Sequence, residues 1–320
     1  MSNHSTSSDH WRELILRIRK DVIAFDIYTL AIMGLYSVLA IALFPYVPMA
    51  SSILIQNVFI ATVIVASIIL QTLTGMKFFG IIRYFYIIPV IYLMYDQTHL
   101  FVQVVHPVDY DDVLIVADRV LFGVDPTSWM HQFSSPVLTE YLQICYFLFY
   151  LLPIMQAIEL WRKGKLEQLA EFSRGMAFCY FVSYLLYFAM PAIGPRFTLH
   201  DFSSINTDLP GIMVTNILRG IIDSGGGVAW GQPEPAGSVN RDCMPSGHTM
   251  MTLVNILLAF RYKSRFKWLF VLIGGSLIIS TVYLRYHYAI DVIIGALLAV
   301  VTLPLEPVVN RLATKRISEM

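Results

Sequence analysis

With 57% of its 320 residues hydrophobic and only 14% charged, the chain has too few polar side chains to coat a globular surface, which excludes a soluble domain and points to an integral membrane protein. Lys plus Arg number 22 and Asp plus Glu number 22, so the net charge is near zero and nothing in it suggests nucleic acid or an acidic partner. Three cysteines, Cys145, Cys179 and Cys243, are an odd number, and the first two lie in apolar runs, so no disulfide framework is implied.

The first ten residues are polar and Ser-rich without the pattern of a cleavable signal peptide, so the first spanning helix is expected to act as the insertion signal. Trp11, Leu14, Ile15, Ile18, Val22 and Phe25 recur at helical spacing between basic residues, which suits either a helix lying in the membrane interface or a simple topogenic flank. Apolar stretches long enough for a hydrocarbon core of about 30 Å follow at 28–47, 52–73, 81–104, 136–159, 169–190, 246–260, 268–285 and 288–306. The expected fold is therefore all-α: a polytopic helix bundle of about eight spans, with an N-terminal segment at 1–27, a transmembrane domain at 28–310 and a tail at 311–320.

Lys and Arg favour the cytoplasmic side of short loops. Basic residues cluster before span one (Arg12, Arg17, Arg19, Lys20), between spans two and three (Lys77, Arg83), between four and five (Arg162, Lys163, Lys165), after six and after eight. All five clusters agree with both termini inside. The opposite side receives the Asp-rich connection 105–135 and the long connection 191–245. Within the first, 118–125 reads as an amphipathic segment stopped at a turn by Pro126, suited to covering the outer face of the bundle.

Two strings open onto that outer side, Met244-Pro245-Ser246-Gly247-His248 and Arg285-Tyr286-His287-Tyr288-Ala289-Ile290-Asp291. Ionisable residues are costly in lipid-spanning segments, and their default reading there is functional. His287 and Asp291, four apart at a helix start, are expected to share a face, with the carboxylate fixing the imidazole tautomer and leaving the other ring nitrogen free to attack phosphorus. Pro245 suits the first position of the sixth helix, which puts Ser246, Gly247 and His248 in its first turn. Free backbone N–H groups there can hold phosphate oxygens, the Ser246 hydroxyl can add a hydrogen bond, and His248 can protonate a leaving oxygen. Arg196 leaves the rigid exit Pro191–Pro195 on the same side and can grip phosphate in a bidentate fork, with Arg285 as a second positive contact. Arg241, Asp242 and His200 read as solvated loop residues.

These residues resemble the type 2 phosphatidic acid phosphatase (PAP2) superfamily of membrane phosphatases and phosphotransferases, mainly over spans three to eight, about 81–306. Three motifs carry the likeness: around Arg196, at Pro245-Ser246-Gly247-His248, and from Ser280 to Asp291. The resemblance implies a six-helix core with its site at the non-cytoplasmic surface. It further implies a His287 nucleophile oriented by Asp291, a His248 acid and base, and phosphate contacts from Arg196, Ser246 and Gly247, with no metal. The chain departs from the family pattern where Ala189 stands in place of a lysine, where Pro195 precedes Arg196 instead of following it, and where Ser280-Thr281 replaces Ser-Arg with the arginine moved to 285. Gly194-Pro195-Arg196-Phe197 and Tyr283–Tyr288 look more like the branch containing inositol phosphorylceramide synthase and its bacterial relatives, which transfers head groups between lipids.

The reading is thus a lipid phosphate phosphatase or phosphotransferase working through a phosphohistidine on a lipid phosphate or phospholipid, with no cofactor. Transfer of the inositol phosphorylceramide synthase type is the narrower alternative. A transporter binding a metal or relaying protons through the same histidines is the remote one, since it does not explain Pro, Ser and Gly before His248 or arginines, which repel cations, beside the site.

Overall fold

The computed structural model describes residues 7–229, 231–232 and 234–319, and among these it contains helices and turns but no strand. Residues 1–6, 230, 233 and 320, and the side chains of residues 7–10, 20, 24, 77, 84 and 315–319, lie outside the described set. The α-helices in chain order are α1 (Ser7–Asp21), α2 (Ala24–Ala42), α3 (Ala50–Thr74), α4 (Lys77–Phe85), α5 (Ile87–Val105), α6 (Asp111–Phe122), α7 (Pro126–Met130) and α8 (Pro136–Phe147). They continue with α9 (Leu151–Arg162), α10 (Leu166–Tyr187), α11 (Pro195–Thr198), α12 (Ile205–Asp208), α13 (Thr215–Gly225), α14 (Gly247–Arg261), α15 (Lys267–Tyr283) and α16 (Ala289–Glu319).

Each of the eight expected spans is helical. Phe25–Ala42, Ala50–Thr74, Phe78–Val105, Pro136–Arg162 and Ala289–Thr314 are long and apolar enough to cross a membrane unaided, which makes this a multi-pass membrane protein. The other three are α10, which carries Glu167, Glu171 and Arg174, and the shorter α14 and α15. They rely on neighbours: α14 packs against α10, α15 and α16. Span three breaks at Tyr86 into α4 and α5, and span four breaks at a 3₁₀ turn, Leu148–Tyr150, before Pro153 in the first turn of α9. The last helix continues through Pro304 and Pro307 to Glu319, well past the expected end at 306.

Two apolar cores meet along α10. One joins α2, α3 and α5 through Phe25, Tyr36, Ile64, Met94 and Phe101; the other joins α9, α14, α15 and α16 through Leu152, Met250, Leu258, Phe270 and Ala299. Ala177, Phe181 and Tyr184 of α10 belong to the first, and Phe172, Met176 and Cys179 to the second. Spaced along one helix at mixed threes and fours, they cover most of its circumference, as expected of a helix buried on several sides.

The amphipathic N-terminal segment is helical as α1: Trp11 and Leu16 are exposed, while Ile18 packs on the first core. Arg83, counted by the sequence among the surface charges, is buried instead. Its guanidinium pairs with Asp26 at 2.6 Å, bonds Gln71 at 2.8 Å and takes the Asp21 carbonyl, tying α1, α2, α3 and α4 together.

Candidate active site

The site is built from loops at the ends of helices, so each loop has to be pinned. After α15 the chain reverses: Arg285 adopts a left-handed φ of 65°, and the amides of Tyr286 and His287 both return to the Thr281 carbonyl at 2.9 and 3.0 Å. The next helix, α16, starts under two carboxylates. Asp118 of α6 accepts from the amides of Ala289 (2.9 Å) and Ile290 (2.8 Å), and Asp291 accepts from Tyr288 N (2.9 Å), satisfying donors that a helix start leaves open.

His287 is held just ahead of that helix. Its Nδ1 lies 2.8 Å from the Cys243 carbonyl oxygen and 3.6 Å from Asp291 Oδ2, so the hydrogen bond that sets the tautomer goes to backbone, and Asp291 supplies a charge beside the ring. This corrects the expectation that Asp291 orients the imidazole directly. Asp291 accepts the Cys243 thiol at 2.8 Å, and its Oδ1 is fully buried with no partner. Burial pushes the Cys243 thiol well up, with Asp291 and Asp111 adding to it, so the sulfur keeps its proton and acts as a donor. With Nδ1 bonded to a carbonyl, Nε2 carries the lone pair, and it faces His248 Nδ1 at 3.3 Å.

His248 lies in the first turn of α14. That helix begins at Gly247 rather than at Pro245: Ser246 is the N-cap, its Oγ accepting from Thr249 N (3.3 Å) and donating to Thr249 Oγ1 (3.1 Å). The Ser246 hydroxyl is thereby engaged within the helix and lines neither cavity of the site, contrary to its expected phosphate contact. Gly247 is required sterically, since a Cβ there would stand 2.6 Å from Tyr187 Oη. The His248 ring is stacked on Tyr146 at 4.6 Å between centroids and tilted against Phe149 at 4.5 Å, which fixes its plane.

Arg196 follows the turn that closes α10. Asp111 of α6 accepts from Ile193 N (2.9 Å), Gly194 N (2.8 Å) and Tyr288 Oη (2.8 Å), so one carboxylate ties the exit segment to the chain beside His287. Gly194, at φ 96°, allows the close approach; a Cβ there would fall 2.8 Å from the Tyr286 carbonyl oxygen. The Arg196 guanidinium sits 4.4 Å over the Tyr286 ring and bonds Asp223 Oδ1 at 2.8 Å through Nη1, while its Nε and Nη2 have no partner. Only 4% of the side chain is exposed. A buried guanidinium with two unpaired donors is suited to accept an anion. Asp223 is itself placed by α13, whose start is capped by Glu140 of α8 through the amides of Ile212 (2.9 Å) and Val214 (2.7 Å) and the Thr215 hydroxyl (2.6 Å).

Arg285 does not join this group. Its guanidinium pairs with Asp208 of α12 at 2.7 Å and lies 3.3 Å from His131 Nδ1, and it does not line the cavity, so the expected second phosphate contact is absent. The chain reversal at 285–287 sends the two side chains to different neighbours, Arg285 to α12 and His287 to Cys243.

Arg196, Asp223, Tyr286, His248 and His287 line a cavity of about 80 Å³, and Asp242 completes it. Asp242 is not a solvated loop residue: it accepts from Tyr95 Oη at 2.5 Å and also lines a second, larger cavity. Arg241 and His200 are likewise engaged, with Asp109 at 3.2 Å and Thr127 at 2.9 Å. Cys243, His287 and Asp291 bring donor atoms within 4.8 Å of one another and could hold a metal ion, although the protonated thiol and the Cys243 carbonyl already take up two of those atoms.

The model of the PAP2 superfamily matches residues 113–305, more than half of the chain. The chain belongs to the PAP2 superfamily. Membership carries a phosphatase- or phosphotransferase-type function. The part matching PAP2 runs from α6 to α16 and takes in Arg196, His248, His287 and Asp291, whereas α1–α5 lie outside it. No curated protein and no solved structure matches the chain.

Proposed function

We propose that this PAP2 protein removes phosphate, or a phosphorylated head group, from a lipid at the non-cytoplasmic face through a phosphohistidine on His287. One observation carries the reading: a ring nitrogen with a free lone pair, a second imidazole 3.3 Å away and a buried guanidinium with two open donors border one small cavity. A phosphate group entering that cavity displaces the contact between the histidines. His287 Nε2 attacks phosphorus, the bond to the leaving oxygen breaks, and His248, protonated at this stage, gives that oxygen its proton. In the second half His248 takes a proton from the attacking water or alcohol as its oxygen displaces His287. Arg196 neutralises charge on the equatorial oxygens, and Asp291 stabilises the cationic phosphohistidine ring.

The basic loops support the face. Arg261 closes α14 at the end opposite His248, so cytoplasmic placement of the basic end puts the histidines outside. Hydrolysis is the default by breadth of the superfamily. Transfer to a hydroxylated lipid or polyol is favoured by the Gly194–Phe197 and Tyr283–Tyr288 strings.

The test is incubation of purified protein with a panel of lipid phosphates and phospholipids, scoring free phosphate against new phospholipid by mass spectrometry. His287→Ala is expected to abolish both products while the protein still folds and inserts. Full turnover in that variant overturns the mechanism.

A further inference from the structure

The larger cavity, about 210 Å³, begins at His248, Gly247 and Asp242 and descends between α5, α9 and α10 to Phe85, Ala157 and Phe172. It shares His248, Asp242, Tyr95 and Tyr150 with the phosphate-sized cavity, so the two are adjacent. Along α10 it runs from Tyr187 to Phe172, which at a rise of 1.5 Å per residue is about 22 Å. A bilayer hydrocarbon core is about 30 Å thick, so one leaflet is about 15 Å. The cavity is therefore deep enough to take the whole chain of a lipid anchored at the outer surface.

Its wall suits that occupant. Ile87, Ile91, Ile154, Ala157 and Met176 present carbon, and two of its hydroxyls are bonded within the protein: Tyr184 Oη donates to the Ile91 carbonyl at 3.1 Å, and Ser183 Oγ donates to Tyr187 Oη at 3.2 Å. A mostly apolar bore ending at His248, beside the smaller cavity lined by Arg196 and His287, fits an amphiphile with its phosphate at the top and its tail inside. One wall, α5, lies outside the part of the chain that matches the superfamily.

Resting on the phosphoryl-transfer reading above, we infer that this protein draws a long hydrocarbon chain of its phosphorylated substrate into the bundle between α5, α9 and α10, and that Phe85, Ala157 and Phe172 limit the length of that chain.

Two experiments separate this from the parent reading. In the first, monoalkyl phosphates from butyl to octadecyl, together with farnesyl phosphate, are assayed with wild type, Ala157→Trp and Ser173→Phe. Each methylene that enters the bore is expected to raise kcat/KM about fourfold, corresponding to about 0.8 kcal/mol per CH₂. In both variants the rise stops at shorter chains while butyl phosphate turnover stays within twofold of wild type, which also shows that the variants are folded. The farnesyl arm distinguishes an isoprenoid from a straight chain. Identical chain-length profiles in all three proteins, or no rise in wild type, overturn the inference; no turnover of any ester overturns the parent reading instead. In the second, hexadecyl phosphate with a terminal diazirine is photolysed on the full-length protein and the adducts are mapped. Adducts around Phe85, Ala157 and Phe172 support the bore whether or not the ester is turned over. Adducts confined to outward-facing Ile158 and Leu185 overturn it.

Discussion

Asp291→Asn separates charge from orientation, because the structure assigns the two to different groups. The Cys243 carbonyl holds His287 Nδ1 at 2.8 Å, and that bond is untouched by the substitution. The amide oxygen of an asparagine can still accept from Tyr288 N and the Cys243 thiol, so the loop is expected to keep its shape. What disappears is a negative charge 3.6 Å from the ring. A nucleophilic imidazole carries no charge before attack and gains little from that carboxylate; the phosphohistidine ring is cationic and gains in full, which makes the interaction one that favours the transition state over the ground state.

At 3.6 Å and an effective permittivity of about 20, the attraction between unit charges is about 4.6 kcal/mol. If half the charge has developed in the transition state, about 2.3 kcal/mol is lost, and the full charge sets the upper bound. Asp291→Asn is therefore expected to lower kcat by between about 50-fold and about 2,000-fold, at 1.36 kcal/mol per tenfold. KM should stay near wild type, so that kcat and kcat/KM fall together. The assay is rapid quench with a radiolabelled phosphate ester, following phosphoenzyme formation directly, with the melting temperature in detergent as a control. A loss below tenfold in a normally folded variant refutes the electrostatic role.

Three further outcomes follow from the geometry. Asp118→Ala leaves the amides of Ala289 and Ile290 without their acceptor, which at about 1–3 kcal/mol per buried unsatisfied donor should destabilise the protein by about 2–6 kcal/mol and lower kcat, read by thermal unfolding alongside turnover; Asp118→Asn, which keeps one acceptor, should lose less, and equal melting temperatures for all three proteins would count against the cap. Arg196→Lys removes the planar fork with its two open donors, each worth about 1.5–3 kcal/mol to a charged ligand, and should weaken inhibition by inorganic phosphate at least tenfold; an unchanged inhibition constant contradicts the phosphate role. Burial, helped by the nearby Arg285 charge, lowers His200 to about 4 from an ordinary 6.5, so the unfolded chain takes up this proton first as the medium is acidified. Its contribution to stability is complete above pH 6.5 and is lost as pH falls towards 4; His200→Gln should flatten that acid limb in a pH series of melting temperatures, and an unaltered limb excludes His200 as its source.

The helices were legible because their signal is a sum over about twenty apolar residues, which survives local errors. The site was legible in its residue types and less so in its contacts. The i, i+4 spacing of His287 and Asp291 predicts one shared helix face, but α16 starts at Ala289, so His287 precedes the helix and the 3.6-residue period does not reach it. Pro245 and Ser246 compete for the start of α14, and the serine side chain's bond to Thr249 N makes Ser246 the cap, so the helix starts two residues later than the proline suggests. Arg285 looked like a phosphate contact from its distance along the chain to His287; its left-handed backbone and its partner Asp208, 77 residues away, carry no local signal. Asp242 was passed over for the converse reason, since only the approach of Tyr95, 147 residues earlier, takes it out of solvent.

The part of the site least visible in its motifs is the part that makes it a site. Arg196 and His287 lie on loops about 90 residues apart, and a transferring phosphate needs them placed to within a fraction of an ångström. Asp111 and Asp118 are seven residues apart on α6, two helical turns, so they share one face. Asp111 grips the exit segment that carries Arg196 and the Tyr288 hydroxyl, while Asp118 grips the first amides of α16. Arg196 and His287, the proposed phosphate holder and nucleophile, are thus referred to one rigid helix. Five neutral donors face these two carboxylates, so the brace holds strongly without adding a cation that would compete with Arg196 for phosphate. The Asp-rich connection between α5 and α8 thus braces the segments that carry Arg196 and His287 against each other.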